Sequence, residues 1–237
     1  MRARFVVAFL AMAILCASAV AQESTAESWL KSGYDLSING SHEEALRAYD
    51  RVIEIEPGNK LAWINKANAL VMLNRSDEAS EAYQKALDIT NRTLQSDPDN
   101  SILWSEKGLL LHNVGSYEEA VRAFENATYL DPENEMAWKM KGVLLSSELK
   151  RHEEAVEAFD RALEIKPGDS RTWSSKASAL AALGKKDEAR EAYEKAIEID
   201  PSNAAVWKAK SDVLNTLGKT SEAEAALSKA KELRYQG

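Results

Sequence analysis

The sequence predicts an all-α fold, a solenoid of six stacked helical hairpins, and three observations support this prediction. A tryptophan frame recurs along the chain, with successive tryptophans 34, 41, 34, 35 and 34 residues apart. Within each interval, apolar residues fall at three- and four-residue spacing over two stretches of about 14 residues, which is helix periodicity. Glycine or asparagine separates the two stretches, and a proline ends the second. Each interval is therefore expected to form two helices and a tight turn.

The first 21 residues differ from the repeats. Arg2 and Arg4 precede an apolar run from Phe5 to Leu15, and small residues end at Ala21. This order is typical of a secretory signal peptide, so we expect residues 1–21 to be removed and the protein to be secreted or held in the cell envelope. The alternative is an uncleaved membrane anchor, although 17 residues from Phe5 to Ala21 fall short of the roughly 20 that span a bilayer.

Composition excludes several classes of protein. The only cysteine, Cys16, lies in the signal segment, so the mature chain is expected to have no disulfide, no thiol nucleophile and no cysteine zinc site. The formal net charge is −8, and it becomes −10 without the two arginines of that segment. We therefore expect no nucleic-acid partner, because phosphate binding needs a basic surface.

The repeating frame extends well beyond the tryptophans. A lysine usually follows each tryptophan by three positions, and a small residue, an alanine, an aromatic and a proline recur later at fixed offsets. The tryptophans are Trp29, Trp63, Trp104, Trp138, Trp173 and Trp207. The small residues are Gly33, Ala67, Gly108, Gly142, Ala177 and Ser211. Six tryptophans at one structural position favour packing between helices over six ligand sites.

This frame resembles the tetratricopeptide repeat. The resemblance covers residues 26–234 and implies a right-handed solenoid. Its repeats would span residues 26–59, 60–100, 101–134, 135–169, 170–203 and 204–234. The chain departs from the family where a leucine usually precedes the small residue, because lysine stands there in five repeats and Ser32 in the first. We expect these lysines to lay their alkyl stems on apolar neighbours and to extend their ammonium groups into water.

Local signals predict where the helices begin and end. Left-handed residues are expected to end the first helix of five repeats, at Gly40, Asn74, Gly115, Gly184 and Gly218. N-caps are expected to begin first helices at Asn59, Asn100, Asn134, Asp169 and Asn203. Capping boxes are expected from Ser41 to Glu44 and from Ser116 to Glu119. The second repeat has seven extra residues, which predict a longer second helix, and the fourth lacks its turn glycine near Leu149.

No group of residues indicates catalysis. The carboxylate pairs that begin second helices, such as Glu43 and Glu44, suit the helix dipole there. His42 and His152 are expected to pack in turns, and His112 to face the concave groove without other metal ligands near it. No nucleophilic triad and no phosphate-binding loop is present in the sequence. We therefore expect a non-enzyme that needs no cofactor and no metal.

The resemblance implies a binding surface on the concave side, formed by first-helix residues at fixed offsets from the tryptophan. In the N-terminal half these are Leu61, Ile64, Asn68, Met72, Ile102, Ser105 and His112. In the C-terminal half they are Lys139, Val143, Ser147, Arg171, Ser174, Ser178, Lys208 and Asp212. The first set is mainly apolar and the second is polar with cations, which suits a ligand with an apolar end and an acidic end. The alternative is that both sets are ordinary solvated faces.

Some family members hold a C-terminal carboxylate with a clamp of lysine, asparagine and arginine side chains. Only Asn65 and Arg171 stand at such positions here, and Leu30, Tyr34 and Glu106 occupy others. A carboxylate clamp is therefore not expected, and Asn65 remains a groove candidate.

Four N-x-S/T sequons lie in the N-terminal half, and they are candidate glycosylation sites if the protein is exported in a host that modifies asparagine. Their asparagines are Asn39, Asn74, Asn91 and Asn126. Chance occurrence is the alternative.

The function predicted from the sequence is that of a non-catalytic protein–protein interaction scaffold. It would act outside the cytoplasm and bind a peptide or partner protein in its concave groove, with no membrane contact beyond the signal segment. One alternative is an assembly factor or chaperone for exported envelope proteins, and another is a non-catalytic subunit of an enzyme complex. The frame fixes the fold and leaves the partner open.

Overall fold

The computed structural model describes residues 25–235, all of whose regular elements are helices. The predicted signal peptide and Cys16 lie outside the described residues. The chain divides between Ser96 and Asp97 into two compact units. Unit 1 contains α1 (Ala26–Ile38), α2 (His42–Ile55), α3 (Lys60–Met72) and α4 (Ser76–Ser96).

Unit 2 contains eight helices within its described residues. They are α5 (Ser101–Asn113), α6 (Tyr117–Leu130), α7 (Glu135–Ser147), α8 (His152–Ile165), α9 (Ser170–Ala182), α10 (Lys186–Ile199), α11 (Ala204–Thr216) and α12 (Thr220–Tyr235). In both units, odd-numbered first helices pair with the following even-numbered second helices, and each second helix packs on the next first helix of its unit. This is the all-α solenoid of helix–turn–helix repeats that the sequence predicts.

Each of the first five hairpins closes around an aromatic ring of its second helix, whereas the last has Leu227 at this position. Phe159 of α8 is fully buried, and a Cβ built on Gly142 of α7 would come 2.7 Å from its ring. Such a distance is inside van der Waals contact, so only glycine lets the two helices cross this closely. A small residue of the repeating frame therefore stands where these two helices cross.

The predicted helix ends are confirmed at the turns. The five residues expected to be left-handed have φ between +59° and +79°. In the fourth repeat Lys150 takes this conformation, with φ of +57°, because its turn contains no glycine. A non-glycine residue pays a steric cost there, since its Cβ crowds the following carbonyl.

The predicted N-caps of the later first helices are also confirmed. The side chains of Asn59, Asn100 and Asn134 each accept a backbone hydrogen bond two residues into the helix, at 3.0–3.1 Å. At the start of α9, Asp169 accepts from the N–H of Arg171, and at the start of α11, Asn203 accepts from those of Ala205 and Val206. These side chains satisfy backbone donors that the helix itself leaves unpaired.

The predicted capping boxes are wrong. Ser41 and Ser116 do precede α2 and α6, but neither side chain makes a capping hydrogen bond. Their ψ angles of 60° and 66° are smaller than the 80–147° found at the first-helix caps, and both residues directly follow a left-handed glycine. Glu44 and Glu119 pair instead with Arg47 and Arg122, at 3.4 and 3.9 Å.

The seven-residue insertion lengthens α4, as predicted. This helix has 21 residues, whereas α2 has 14. Seven residues make close to two turns, so the added segment keeps the apolar face in register. Thr90 and Leu94 of that segment are buried accordingly.

Candidate functional site

The first helices form one face of each unit. Within unit 1, α1 contacts α3, and within unit 2, α9 contacts both α7 and α11. Second helices show no comparable contact with one another among the described residues. The first helices therefore lie closer together than the second helices and form the inner side of each unit, where the resemblance to tetratricopeptide proteins implies the groove.

The inner face of unit 1 is largely apolar. Tyr34, Ile38, Leu61 and Met72 are exposed by 57, 67, 57 and 63% respectively. A cleft of about 310 Å³ lies between α1 and α3, and Tyr34, Ile38, Asn65, Asn68 and Met72 contribute to its lining. Of the predicted groove residues, Leu61, Asn68 and Met72 are exposed, and Ile64 and Asn65 are half-buried. The structure brings Asn65, Asn68 and Met72 together.

Polar groups at the base of this cleft are held by the second helices. The Tyr83 hydroxyl donates to Oδ1 of the exposed Asn68 at 2.5 Å, so the amide N–H groups of Asn68 are not used in this bond. Burial raises the pKa of Tyr83, so its hydroxyl remains a donor at neutral pH. His42 also lines the cleft, and its buried Nδ1 atom has no hydrogen-bond partner among the described residues. Sequence analysis placed His42 in a turn, but it is the first residue of α2.

Ser105 is not a groove residue, which corrects the prediction from the sequence. Its side chain is only 1% exposed. The hydroxyl donates to the carbonyl of Ser101 and accepts from Asn134 Nδ2, both at 3.0 Å. A small residue at this position allows the N-cap of the next first helix to lie against α5. Ile102, in contrast, is 74% exposed.

His112 and Val143 are half-buried on the first helices of unit 2. The His112 ring lies 6.0 Å from the Tyr117 ring, so it packs at the start of α6. His152, predicted in a turn, is the first residue of α8, and its Nδ1 lies 3.3 Å from the Ser146 hydroxyl. Within residues 25–235, no three histidine, aspartate or glutamate side chains form a group that could hold a metal ion.

Lys139 was expected to be one of the cations of the groove, and the structure pairs it with two carboxylates. Its Nζ lies 3.1 Å from both Glu135 and Asp169. Burial acts to lower the pKa of Lys139, but the hydrogen bonds and charges of these two carboxylates raise it overall. Burial likewise opposes ionisation of Asp169, yet the hydrogen bonds from Thr172 and Lys139 lower its pKa. Lys139 of α7 therefore forms an ion pair with the N-cap residue of α9.

The remaining predicted residues of unit 2 differ in exposure and in partners. Arg171, Lys208 and Asp212 are exposed, and neither cation forms an ion pair within residues 25–235. Ser178 donates to the carbonyl of Ser174 at 3.0 Å, and its hydroxyl lies 2.9 Å from that of Tyr193. Ser147 is also exposed. Most of the second predicted set therefore does form an accessible polar face.

The tryptophan frame has a second role that the sequence pattern did not predict. Each indole N–H from Trp63 onward donates to the carbonyl of the proline six residues earlier, at 2.7–3.0 Å. The lysine three residues later lies over the ring, 5.0–5.9 Å from its centroid. All six tryptophans are half-buried, which fits packing rather than ligand binding.

Four of these lysines also form an ion pair with the preceding second helix. The pairs are Lys66–Asp50, Lys141–Glu125, Lys176–Asp160 and Lys210–Glu194, at 2.5–3.1 Å. The expectation that these ammonium groups would reach only into water is therefore wrong. An acidic residue stands sixteen positions before each of these four lysines, whereas Asn91 stands there for Lys107. That spacing is the signal from which the pairs could have been predicted.

The sequon asparagines occupy three kinds of position. Asn39 and Asn74 lie in turns and are exposed, and Asn126 is exposed on α6. Asn91 lies in the α4 extension and is half-buried.

The carboxylate pairs lie in the first turns of second helices and are exposed. Several pair with nearby arginines, as Glu154 does with Arg151 at 2.5 Å. The hydrogen bond from Arg151 lowers the pKa of Glu154, so this carboxylate is not held protonated as a general acid would be.

No helix within residues 25–235 is both long and apolar enough to cross a membrane.

Comparisons with known proteins agree with this geometry. Residues 10–236 match the model of the family described as the cilia and flagella-associated protein 70 C-terminal domain. A tetratricopeptide repeat protein from Parabacteroides merdae ATCC 43184 is similar with a TM-score of 0.67 and 20% identity, over 87% of this chain and 79% of that one. YrrB, described as a TPR protein with an unusual peptide-binding site, gives a TM-score of 0.58 and 23% identity, over 82% of this chain and 96% of that one.

A relative from Methanocaldococcus jannaschii, Uncharacterized protein MJ0572, is 40% identical over 58 residues, which are 24% of this chain and 67% of that protein. The family match extends over nearly the whole chain, and the hairpins carry the repeating frame throughout the described residues. The chain belongs to the tetratricopeptide-repeat family represented by the cilia and flagella-associated protein 70 C-terminal domain.

Proposed function

We propose that this protein is a non-catalytic scaffold that binds a peptide or a segment of a partner protein on the inner face of unit 1. One observation carries the proposal. Five large apolar side chains are exposed on the first helices α1 and α3, namely Tyr34, Ile38, Leu61, Val71 and Met72. Apolar surface gathered in this way is typical of interaction sites, because leaving it in water costs free energy that a partner would recover.

Polar groups in the cleft would orient a bound peptide on this surface through hydrogen bonds. The amide N–H groups of the exposed Asn68 side chain can donate to a peptide carbonyl, and the half-buried Asn65 can donate or accept. Small-molecule and peptide sites commonly combine an apolar lining with a few placed polar groups. The description of YrrB as a protein with a peptide-binding site supports the same use of this fold.

The non-catalytic part of the proposal rests on the chemistry of the described residues. Resolved pKa shifts among the carboxylates of residues 25–235 are all downward, so these groups are held ionised in ion pairs and caps. A general acid at neutral pH would need the opposite shift. We propose accordingly that neither unit contributes an active site.

Export belongs to the proposal and is supported by the sequence of residues 1–21 alone. We propose a secreted or cell-envelope location, where an exported partner would meet the inner face. Exposure of Asn74 in its turn makes it the favoured site for a glycan among the four sequons, because a bulky sugar there displaces no packed side chain.

The test replaces two exposed apolar residues of the inner face. Tyr34→Glu with Met72→Glu places charges in the cleft without disturbing a buried residue, so the fold should be retained. We expect capture of the native partner from envelope extract to fall by more than about tenfold, because central apolar contacts dominate most interfaces. The matched control is Tyr129→Glu with Ile199→Glu, which alters two exposed apolar residues on second helices of unit 2.

Equal capture by both variants and by the unaltered chain would contradict the proposal. Selective loss in the first variant, with one dominant captured protein, supports a dedicated scaffold. Selective loss of many exported proteins at once supports the chaperone alternative on the same surface.

A further inference from the structure

A second accessible cleft lies over the last described hairpin, between α11 and α12. It has a volume of about 870 Å³, and its lining includes Leu227 and Ala230. Three cations, Lys208, Lys231 and Arg234, also line it, against one carboxylate, that of Asp212. In unit 2, the second helices α6, α8 and α10 each pack against the next first helix. No helix follows α12 among the described residues, so the corresponding face of the last hairpin is open.

None of the three cations forms an ion pair within residues 25–235. Most other lysines and arginines of unit 2 are paired, as Lys210 is with Glu194. On a protein of net charge −8, three unpaired cations around one cleft provide a site complementary to negative charge.

Earlier hairpins show what lies opposite the position of Lys208. Lys208 directly follows Trp207, as Lys139 follows Trp138. Lys139 Nζ lies 3.1 Å from Asp169, the N-cap of the next first helix. Ser105, at the same position after Trp104, accepts from Asn134, which is again the N-cap of the next first helix. This position therefore repeatedly contacts the start of the helix that covers the hairpin.

Lys208 also lacks the second partner that Lys139 has. Glu135 lies four residues before Lys139 on the same helix, whereas Ala204 lies four residues before Lys208. Lys231 stands where α8 has the buried Leu163 and α10 has Ile197, which packs against the core. A cation at this position favours a covering helix with negative charge over one with an apolar face only.

We propose that the cleft over α11 and α12 is a docking site for a helix of a partner protein whose first turn carries carboxylates. The N-cap aspartate of that helix lies on Lys208, as Asp169 lies on Lys139, and a further first-turn carboxylate meets Lys231 and Arg234. Leu227 and Ala230 provide the apolar floor. This inference rests on the proposed function as an interaction scaffold and adds the charge and the secondary structure of one bound segment.

The test uses a defined helical peptide with the full chain. The probe has the sequence of residues 167–182 with Arg171 replaced by glutamate, so that its first turn carries two carboxylates, and a fluorophore reports binding by anisotropy. The control peptide carries Asp169→Asn and Arg171→Gln, which keeps a good N-cap and removes both charges. We expect the acidic probe to bind more tightly than the control peptide, and its affinity to fall with added salt.

Charge reversal of the cleft identifies the site. We expect Lys208→Glu with Lys231→Glu to weaken binding of the acidic probe by about tenfold or more. Arg234 is left unchanged because its positive charge in the last turn of α12 also interacts favourably with the helix dipole. The matched control is Lys85→Glu with Lys166→Glu. These two cations are exposed, lie outside the cleft and form no ion pair within the described residues. Circular dichroism verifies that both variants fold.

Two results would overturn the inference: no binding of the acidic probe up to about 1 mM, or equal loss in the cleft variant and the matched control. Neither result bears on the inner face of unit 1, because none of these substitutions lies on α1 or α3. Failure of the peptide test and failure of the proposed function are therefore distinguishable.

Discussion

At the scale of single residues, one lysine in each of four repeats has two partners. Lys141 Nζ lies 5.5 Å from the centroid of the Trp138 ring and 3.1 Å from Glu125 of the preceding second helix. A cation over an indole contributes roughly 0.5–1 kcal/mol at exposed sites, and more where water is excluded. The lysine side chain is only 17% exposed, so both interactions are partly shielded from solvent. The lysine thus joins neighbouring hairpins at the position where the family usually has leucine.

The strained turn of the fourth repeat leads to the first prediction at this scale. Lys150 adopts φ of +57° where four other turns use glycine. Lys150→Gly should stabilise unit 2 by about 1 kcal/mol. Glycine has no left-handed strain at this position, and the strain removed exceeds the cost of its greater conformational entropy in the unfolded chain. Thermal unfolding followed by circular dichroism measures the shift.

The reverse substitution in the fifth repeat is the control for this prediction. Gly184 has φ of +76° and nothing within 4 Å of an added Cβ, so Gly184→Lys tests backbone strain without a clash. It should destabilise by a similar amount. A loss of stability in Lys150→Gly would show that the Lys150 side chain contributes more than its backbone conformation costs.

At the scale of elements, the start of α9 connects two first helices. Asp169 caps α9 through the N–H of Arg171, bonds to the Thr172 hydroxyl and pairs with Lys139 of α7. One carboxylate thus satisfies a helix end and links it to a neighbouring helix. This arrangement explains why the Asp169 pKa is lowered although burial acts to raise it.

The lowered pKa of Asp169 predicts a pH dependence of stability. A carboxyl group whose pKa is lower in the folded state stabilises that state fully when the pH is above the pKa of the unfolded state, which is about 3.8 here. This contribution is lost as the pH falls through the lower pKa of the folded state. Asp169→Asn keeps an N-cap but removes the charge, so it should destabilise by about 1 kcal/mol at neutral pH. Urea unfolding of both proteins at neutral and acidic pH measures the difference.

The difference between the two proteins should shrink toward acid, because Asp169 is then neutral as well. Other carboxylates titrate equally in both and cancel in the comparison. A difference that stayed constant down to about pH 3 would assign the effect to shape or capping geometry instead of charge.

The elements most accurately predicted from sequence are those fixed by local chemistry. The N-caps at Asn59 and Asn203 and the left-handed turn at Gly115 depend on a few neighbouring residues, so the sequence pattern suffices. The capping box at Ser41 failed because the turn before it sets a different backbone entry. Burial of Ser105 and pairing of Lys139 could not be predicted, since both depend on the N-cap of another repeat lying against them.

At the scale of the whole molecule, the two units expose different chemistry. Unit 1 exposes apolar side chains on its first helices, such as Leu61 and Met72. Unit 2 exposes unpaired cations, including Arg171 and Lys208. The offsets from the tryptophans led us to expect an apolar N-terminal half and a C-terminal half with cations, and that expectation stays a prediction. Ser105 is buried and Lys139 is paired, and the offsets did not include Lys231 and Arg234. A scaffold with two chemically distinct surfaces is suited to segments of different character.

The inner face of unit 1 is the centre of this account, and site-specific photo-crosslinking in the native host tests it most directly. A photoreactive amino acid in place of Met72 would lie in the proposed site, and one in place of Tyr129, which is 85% exposed on α6, would sample ordinary surface. We predict a discrete crosslinked protein from position 72 and none from position 129. Crosslinking from position 129 alone, or none from position 72 while the partner still copurifies, would contradict the account.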